Sequence, residues 1–216
     1  HGITTAKRAY DPDAAAALWK RLADEPAPVR RQRHVEPSDV TVCIAHHNHG
    51  RYLPELLDSL AAQTASGFHV IVVDDGSNDE ASLAALLEME RAHGSRTGWR
   101  FLRKAHGGIG EARNFAVARS DSRYLVFLDA DNVASPTMIE TMVAAMRVAE
   151  ADCLTCYFEG FREDEVGKHQ PVYRYLPMGG CLEAGLFVNV FGDANCIIDR
   201  EAFQAVGGFS TVPGTS

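Results

Sequence analysis

Three continuous apolar runs of strand length constrain this chain more than anything else in it: residues 40–45 (VTVCIA), 68–74 (FHVIVVD) and 123–129 (RYLVFLD). A strand with one wet face alternates polar and apolar residues, whereas a run without alternation is buried on both faces. Helical patterns separate the runs. Residues 52–63 carry Leu53, Leu56, Leu57 and Leu60 on one face, and 82–93, 110–118 and 135–150 follow. Ser135 is expected to cap the last of these, with Pro136 in its first turn. A weaker, charged strand, WRFLRK, lies at 99–104. The β-α alternation implies an α/β fold with a mostly parallel twisted sheet and helices on both faces.

The flanks read differently. Residues 11–24 form a short helix pattern with Asp11 as cap and Pro12 behind it, and 25–38 are a Pro- and Arg-rich connector whose Arg30, Arg31 and Arg33 suit a solvated linker. After residue 151, ADCLTCYFEGF reads as one strand, 162–172 as a charged loop, and the rest as short strands before a helix capped by Asp199 and stopped at Gly207. This divides the chain into an N-terminal helix and linker (1–38), an α/β ligand-binding part (39–150) and a third part (151–216). The sequence opens on His1 and closes at Ser216 after a Gly-rich turn, so it is expected to be part of a longer chain.

Composition narrows the partners. With 21 Lys and Arg against 29 Asp and Glu, the formal charge is −8, which argues against broad nucleic-acid binding. An acidic protein still binds anionic nucleotides if a cation or backbone amides face the phosphates. No apolar run approaches the roughly 20 residues of a membrane span. The five cysteines, an odd number mostly within apolar stretches, suggest reduced, buried thiols in a cytoplasmic setting. Cys153-Leu-Thr-Cys156 is a CxxC without a second pair, better suited to packing than to zinc or redox work.

In open α/β sheets, ligands bind beyond the carboxyl ends of the strands. Three polar clusters fall there: His46-His47-Asn48, Asp74-Asp75-Gly76-Ser77 and Asp129-Ala130-Asp131-Asn132. Carboxylates at the mouths of neighbouring strands repel one another unless a cation or hydrogen-bond donors intervene. Asp129 and Asp131, one residue apart at a strand end, suit Mg²⁺ or Mn²⁺, hard ions commonly held by one or two carboxylates plus substrate phosphates. His46, His47 and His49 offer a zinc alternative, weakened because neighbouring loop residues point in different directions.

The order VTVCIAHHN, VIVVDDGSND, GGIGEARNFAVA, YLVFLDADN resembles the nucleotide-binding half of family 2 glycosyltransferases of the GT-A type, over about residues 40–210. The trailing DANCIIDREAFQAVGGF is similar to the segment in which that family begins its acceptor site. The resemblance implies an inverting transfer of a sugar from a nucleotide-diphosphate donor, typically a UDP-sugar, to a carbohydrate or other hydroxyl acceptor. It implies that Ala45, His46, His47 and Asn48 lie against the nucleoside, that Asp75 accepts a hydrogen bond from the base, and that Asp74 shapes its turn. Arg113 and Asn114 correspond to the Ala-Arg-Asn that orders the donor loop, Asp129 to the residue near ribose and sugar, and Asp131, with Asp129, to the metal site. The family usually has Pro, Thr or Ser and Tyr at positions 45–47, so the first-loop contacts differ here. The family's catalytic base comes from the acceptor side, often from an acidic pair after the Gly-Gly-Phe segment. That pair is expected beyond Ser216, where the sequence ends. Asp193 is the best acidic candidate present; a turn residue beside Gly192 is the plainer reading.

Two other classes compete. Gly107-Gly108-Ile109-Gly110-Glu111-Ala112 opens a helix about 20 residues before Asp129, in the manner of a dinucleotide-binding turn. Against a dehydrogenase stand the charged preceding strand, the two β-α units before it and the lack of a Tyr followed four residues later by Lys. A non-catalytic nucleotide-sugar-binding module of a larger protein is the third class.

Overall fold

The structure, a computed structural model, describes residues 34–149, 151–164, 168–185 and 188–211; the helix expected at 11–24 and the connector's arginines lie outside them. A 3₁₀ turn, Pro37–Asp39, leads into β1 (Val40–His46), α1 (Leu53–Ala61), β2 (His69–Asp75), α2 (Glu80–His93), β3 (Trp99–Lys104), α3 (Ile109–Val117), β4 (Tyr124–Asp129) and α4 (Met138–Val148). The chain continues through β5 (Cys153–Thr155), β6 (Phe158–Glu163), β7 (His169–Tyr175), α5 (Leu182–Gly185), β8 (Cys196–Asp199) and α6 (Arg200–Ala205). Six strands form a sheet in the order β3-β2-β1-β4-β8-β5. The first four are parallel, as the β-α alternation dictates, while β8 runs antiparallel to both β4 and β5. The sheet is therefore mostly parallel, as expected, with β8 its antiparallel member.

Strand periodicity sorts the side chains into two cores. Val42, Ile44, Val70, Val72, Val126 and Leu128 face α1, α2 and α4, where Leu53, Leu56, Leu57 and Leu60 form the stripe expected from the sequence. Each such leucine contributes about 1.5–3 kcal/mol by full burial. Cys43, Ala45, Ile71, Val73, Leu125 and Phe127 face α3 and α6 through Ala112, Ala116 and Phe203. The connector does not end as a solvated linker: Val35 is fully buried, and its carbonyl accepts from Arg147 Nε at 2.7 Å.

Several expectations are corrected. Helix α4 starts at Met138, not after a Ser135 cap; Thr137 is its N-cap residue and makes no side-chain cap bond. Ser135 and Pro136 instead form a turn whose carbonyls accept from Gln63 Nε2 and Thr64 N, fastening the end of α1. Helix α2 begins earlier than expected because Asp79 caps Ser82 N at 2.9 Å. The single strand expected at 151–161 is two: β5 joins the main sheet beside β8, and β6 leaves to pair antiparallel with β7. The charged loop expected at 162–172 thus contributes to a hairpin, tied to α1 and the loop before it by Glu55–His169 at 3.1 Å and Arg51–Glu163 at 3.0 Å. Asp199 does cap α6, accepting from Glu201 N at 2.9 Å, and Gly207 follows that helix at φ +85°, a left-handed conformation favouring glycine. All five cysteines are free, but only Cys43 is buried, and Cys153 is exposed. No helix among the described residues is long and apolar enough to cross a membrane.

Candidate functional site

The carboxyl ends of β2, β1 and β4 lie side by side, and strand alternation decides which acids meet. Asp75 and Asp129 continue the rows of Ile71–Val73 and Leu125–Phe127 on the α3 face; Asp74 continues Val70–Val72 on the other. Ala45 sits between them in register, opposite Val73 and Asp129. Its methyl group leaves a cavity of about 310 Å³, lined by Ala45, His46, His47, Asp75, Asp129 and Asp131 together with His49, His106, Ile109 and Ala130. That volume falls at the lower end of the roughly 300–1,000 Å³ of small-molecule sites.

Asp75 is buried and densely bonded. Lys104, its register partner on β3, places Nζ 2.7 Å from Oδ1 and also reaches Glu111 at 2.9 Å. Gly107 N donates to Oδ1 at 3.0 Å and Gly108 N to Oδ2 at 2.7 Å. Burial pushes the Asp75 carboxyl up, but the Lys104 ammonium and the two amides outweigh it and hold it below the usual carboxylate range. Burial likewise opposes the charge on Lys104, but its bonds to Asp75 and Glu111 outweigh burial and raise its pKa. The Gly107 and Gly108 amides are thus spent on Asp75, so the glycine turn is not the free phosphate cradle a dinucleotide fold uses. Gly76, at φ +68°, lets the Asp-Asp-Gly turn approach this loop; a Cβ there would meet His106 N at 2.7 Å.

On the opposite rim, the Arg113 guanidinium bonds Asp129 Oδ1 and lies over the Phe209 ring at 4.9 Å. Asn132 Oδ1 accepts from Asp129 N at 3.1 Å, closing a tight turn that projects Asp131 at the mouth. Two hard carboxylates on one rim, with Asp131 exposed, fit a hard divalent ion that takes its remaining ligands from phosphate and water. His46 is almost fully buried, and neither ring nitrogen has a partner. Burial lowers its pKa more than nearby Asp74 raises it, so a neutral imidazole lines the cavity.

Five sequence-predicted residues do not line the cavity: Arg113, which reaches it through Asp129, and Asn48, Asp74, Asn114 and Asp193. Asn48, at φ +53°, accepts from Asn78 N and Asp79 N and so joins the β1 loop to the β2 loop. Asp74 accepts from Ser77 N at 3.2 Å, the turn-shaping role expected of it. Asn114 clamps Phe209, donating to its carbonyl and accepting from its N–H. Asp193 is exposed and accepts from Ala194 N at 2.7 Å, a turn contact. Because β8 runs antiparallel to β4, the segment before it nevertheless lies at the sheet edge that carries Asp129. The acidic pair expected beyond Ser216 lies outside the described residues, which reach 211. His46, His47 and His49 do not converge on a zinc site: among the described residues, only Glu55, Glu163 and His169 bring three ligand atoms within reach, outside the cavity. Lys104 and His106 were missed. The register signal for Lys104 was a cation ending the strand beside the acid-ended β2; a lone His106 before glycines gave no signal.

The mostly parallel mixed sheet with helices on both faces is shared with solved glycosyltransferases of the GT-A fold. The chain belongs to glycosyl transferase family 2, whose family model matches residues 41–207. Among curated relatives, glycosyltransferase GlyG of Streptococcus pneumoniae is 25% identical over 126 residues, 58% of this chain and 41% of that protein. Uncharacterized glycosyltransferase RP339 of Rickettsia prowazekii is 34% identical over 104 residues, 48% of this chain and 30% of that protein. The chain therefore spans less than half the length of either. Among solved structures, Staphylococcus aureus TarS 1–349 in complex with UDP superposes with a TM-score of 0.62 at 21% identity, covering 82% of this chain and 52% of that one. The mannosyltransferase PcManGT of Pyrobaculum calidifontis, in complex with GDP-Man and Mn²⁺, gives 0.58 at 19% identity, covering 94% and 56%.

Proposed function

We propose that this chain is the donor-binding part of an inverting glycosyltransferase that moves a sugar from a UDP-sugar to an acceptor hydroxyl with the help of Mn²⁺ or Mg²⁺. The observation that carries the reading is the meeting of Asp75, Asp129 and Asp131 at one cavity between adjacent strand ends. The UDP of the TarS structure and the GDP-Man and Mn²⁺ of the PcManGT structure support it as the ligands of folds like this one.

In this reading residues 39–150 bind the donor and the acceptor part begins at 151. Asp75 faces the base, Arg113 holds Asp129 toward ribose and sugar, and Asp131 with Asp129 holds the ion. When bound, the ion neutralises the diphosphate's charge as it departs. A carboxylate on the acceptor side takes the proton from the attacking hydroxyl, and Asp193, at the Asp129 edge of the sheet, is our candidate within the chain. The five free thiols support a cytoplasmic setting.

Calorimetric titration of UDP with and without Mn²⁺ tests the assignment. Asp131→Asn is expected to remove most of the Mn²⁺-dependent gain in affinity, on the order of tenfold or about 1.4 kcal/mol, while leaving the unfolding midpoint in place. An unchanged Mn²⁺ dependence takes Asp131 out of the metal site.

A further inference from the structure

Asp75 has no room left for a base. A carboxylate offers about four acceptor positions. Oδ1 has Lys104 Nζ and Gly107 N; Oδ2 has Gly108 N and, in close contact at 3.0 Å, His106 Nδ1, whose hydrogen bond goes to the Asp75 carbonyl oxygen at 3.1 Å. These partners differ in how readily they can leave. Lys104 is 9% exposed and the two amides belong to the backbone that enters α3, whereas the His106 side chain is 60% exposed. The His106 ring also stacks on His47, with centroids 4.2 Å apart and planes 28° apart. His47 is itself fixed, its Nδ1 2.9 Å from the Asp75 carbonyl oxygen and its Nε2 3.2 Å from Asn48 Nδ2. His106 therefore presents a flat ring that stacks on an aromatic partner and aims a ring nitrogen at a buried carboxylate. A pyrimidine with a ring N–H would make the same two contacts.

We propose that His106 is an internal stand-in for the donor's nucleobase, competing with it for the slot between His47 and Asp75. The proposal rests on the donor reading above. A uracil ring can replace both contacts, because its N3–H donates to the freed carboxylate. Cytosine has no donor at N3, which is an acceptor, and can offer the carboxylate only its exocyclic 4-amino group, displaced from the ring position His106 occupies. The stand-in thus lowers affinity for every nucleotide and admits best the base that brings a ring N–H to the vacated carboxylate oxygen.

The test is titration of UDP and CDP, with Mn²⁺, into the full chain and its His106→Ala variant. His106→Ala is expected to bind UDP at least about threefold tighter, since removing an internal competitor raises the binding-competent fraction, and to keep its preference for UDP over CDP. Loss of a merely structural contact would move affinity the other way. Equal or weaker UDP binding by His106→Ala, with the unaltered chain binding UDP, overturns the stand-in and leaves the donor reading intact. No UDP binding by either protein sinks the donor reading and the stand-in with it. As a second measurement, saturating UDP should move the His106 ring resonances of the unaltered chain; unmoved resonances overturn the proposal.

Discussion

The β1–β4 half of the sheet and the β6–β7 hairpin are built on different physics. Strands β1, β2 and β4 are buried almost throughout, and their acids are held by buried partners: Lys104 and Asp75 are 9% and 3% exposed. The hairpin presents an exposed strand, with Tyr173 58% exposed, and its ion pairs lie in water. The comparison teaches where geometry is fixed. Cavity-facing groups of the first region hang on a close-packed core that resists displacement, whereas the hairpin is held by cross-strand contacts and a few screened charges.

The largest test removes the buried cation. Lys104→Met leaves the Asp75 carboxylate in place without its ammonium partner, and breaking a buried pair in this way costs about 3–5 kcal/mol. Urea unfolding followed by circular dichroism measures it as a fall in midpoint. A change smaller than that of a surface substitution would mean the β2–β3 mouth is no more firmly built than the hairpin.

Much of the first region was legible in the sequence, for the same physical reason that makes it rigid. Runs such as VTVCIA and YLVFLD announce strands buried on both faces without reference to any partner, and acids at their ends can only fall at the mouth. The hairpin was not legible because its strands carry Glu159, Arg162 and Arg174 and owe their existence to pairing with each other. The break between β5 and β6 is equally long-range, set by β8 some forty residues later. That Asp75, Asp129 and Asp131 would gather at one cavity was legible because strand-end acids are conspicuous. What those acids touch was not, since Lys104 and His106 reach Asp75 through register and loop closure. Asn114 and Asp193 were assigned by resemblance alone; the one is occupied with Phe209 and the other with its own turn.

A test of intermediate size follows from the sign of the Asp75 shift. Its folded-state pKa lies below the ordinary value of 3.8, so its contribution is fully present above pH 3.8 and is lost as the pH falls through the lower, folded value. Lys104 behaves oppositely: its folded pKa lies above 10.5, so its contribution is complete below pH 10.5 and fades as the pH rises through the higher value. Stability measured against pH should show both limbs, and Asp75→Asn should flatten the acid one. An acid limb of undiminished slope in Asp75→Asn would assign it to other carboxylates and remove this distinction between the two regions.

The smallest effect is expected in the hairpin. Tyr173 stands directly opposite Gly160, at a register irregularity, and a Cβ on Gly160 would meet the Tyr173 ring at 2.1 Å. The ring therefore covers a glycine whose backbone would otherwise face solvent, and it meets Phe158 edge-on at 6.2 Å. Cross-strand pairs of this kind are worth about 0.2–1 kcal/mol, so Tyr173→Ala should lower stability by no more than that. Gly160→Ala should cost more than Tyr173→Ala, because the ring must move off its seat as well as lose contact. The double variant should recover part of the Gly160→Ala loss, since an alanine at 173 no longer occupies the space the new methyl group needs. If Tyr173→Ala proves as costly as Lys104→Met, the hairpin belongs to the same cooperative core as the six-stranded sheet, and the contrast between exposed and buried construction does not set their relative strength.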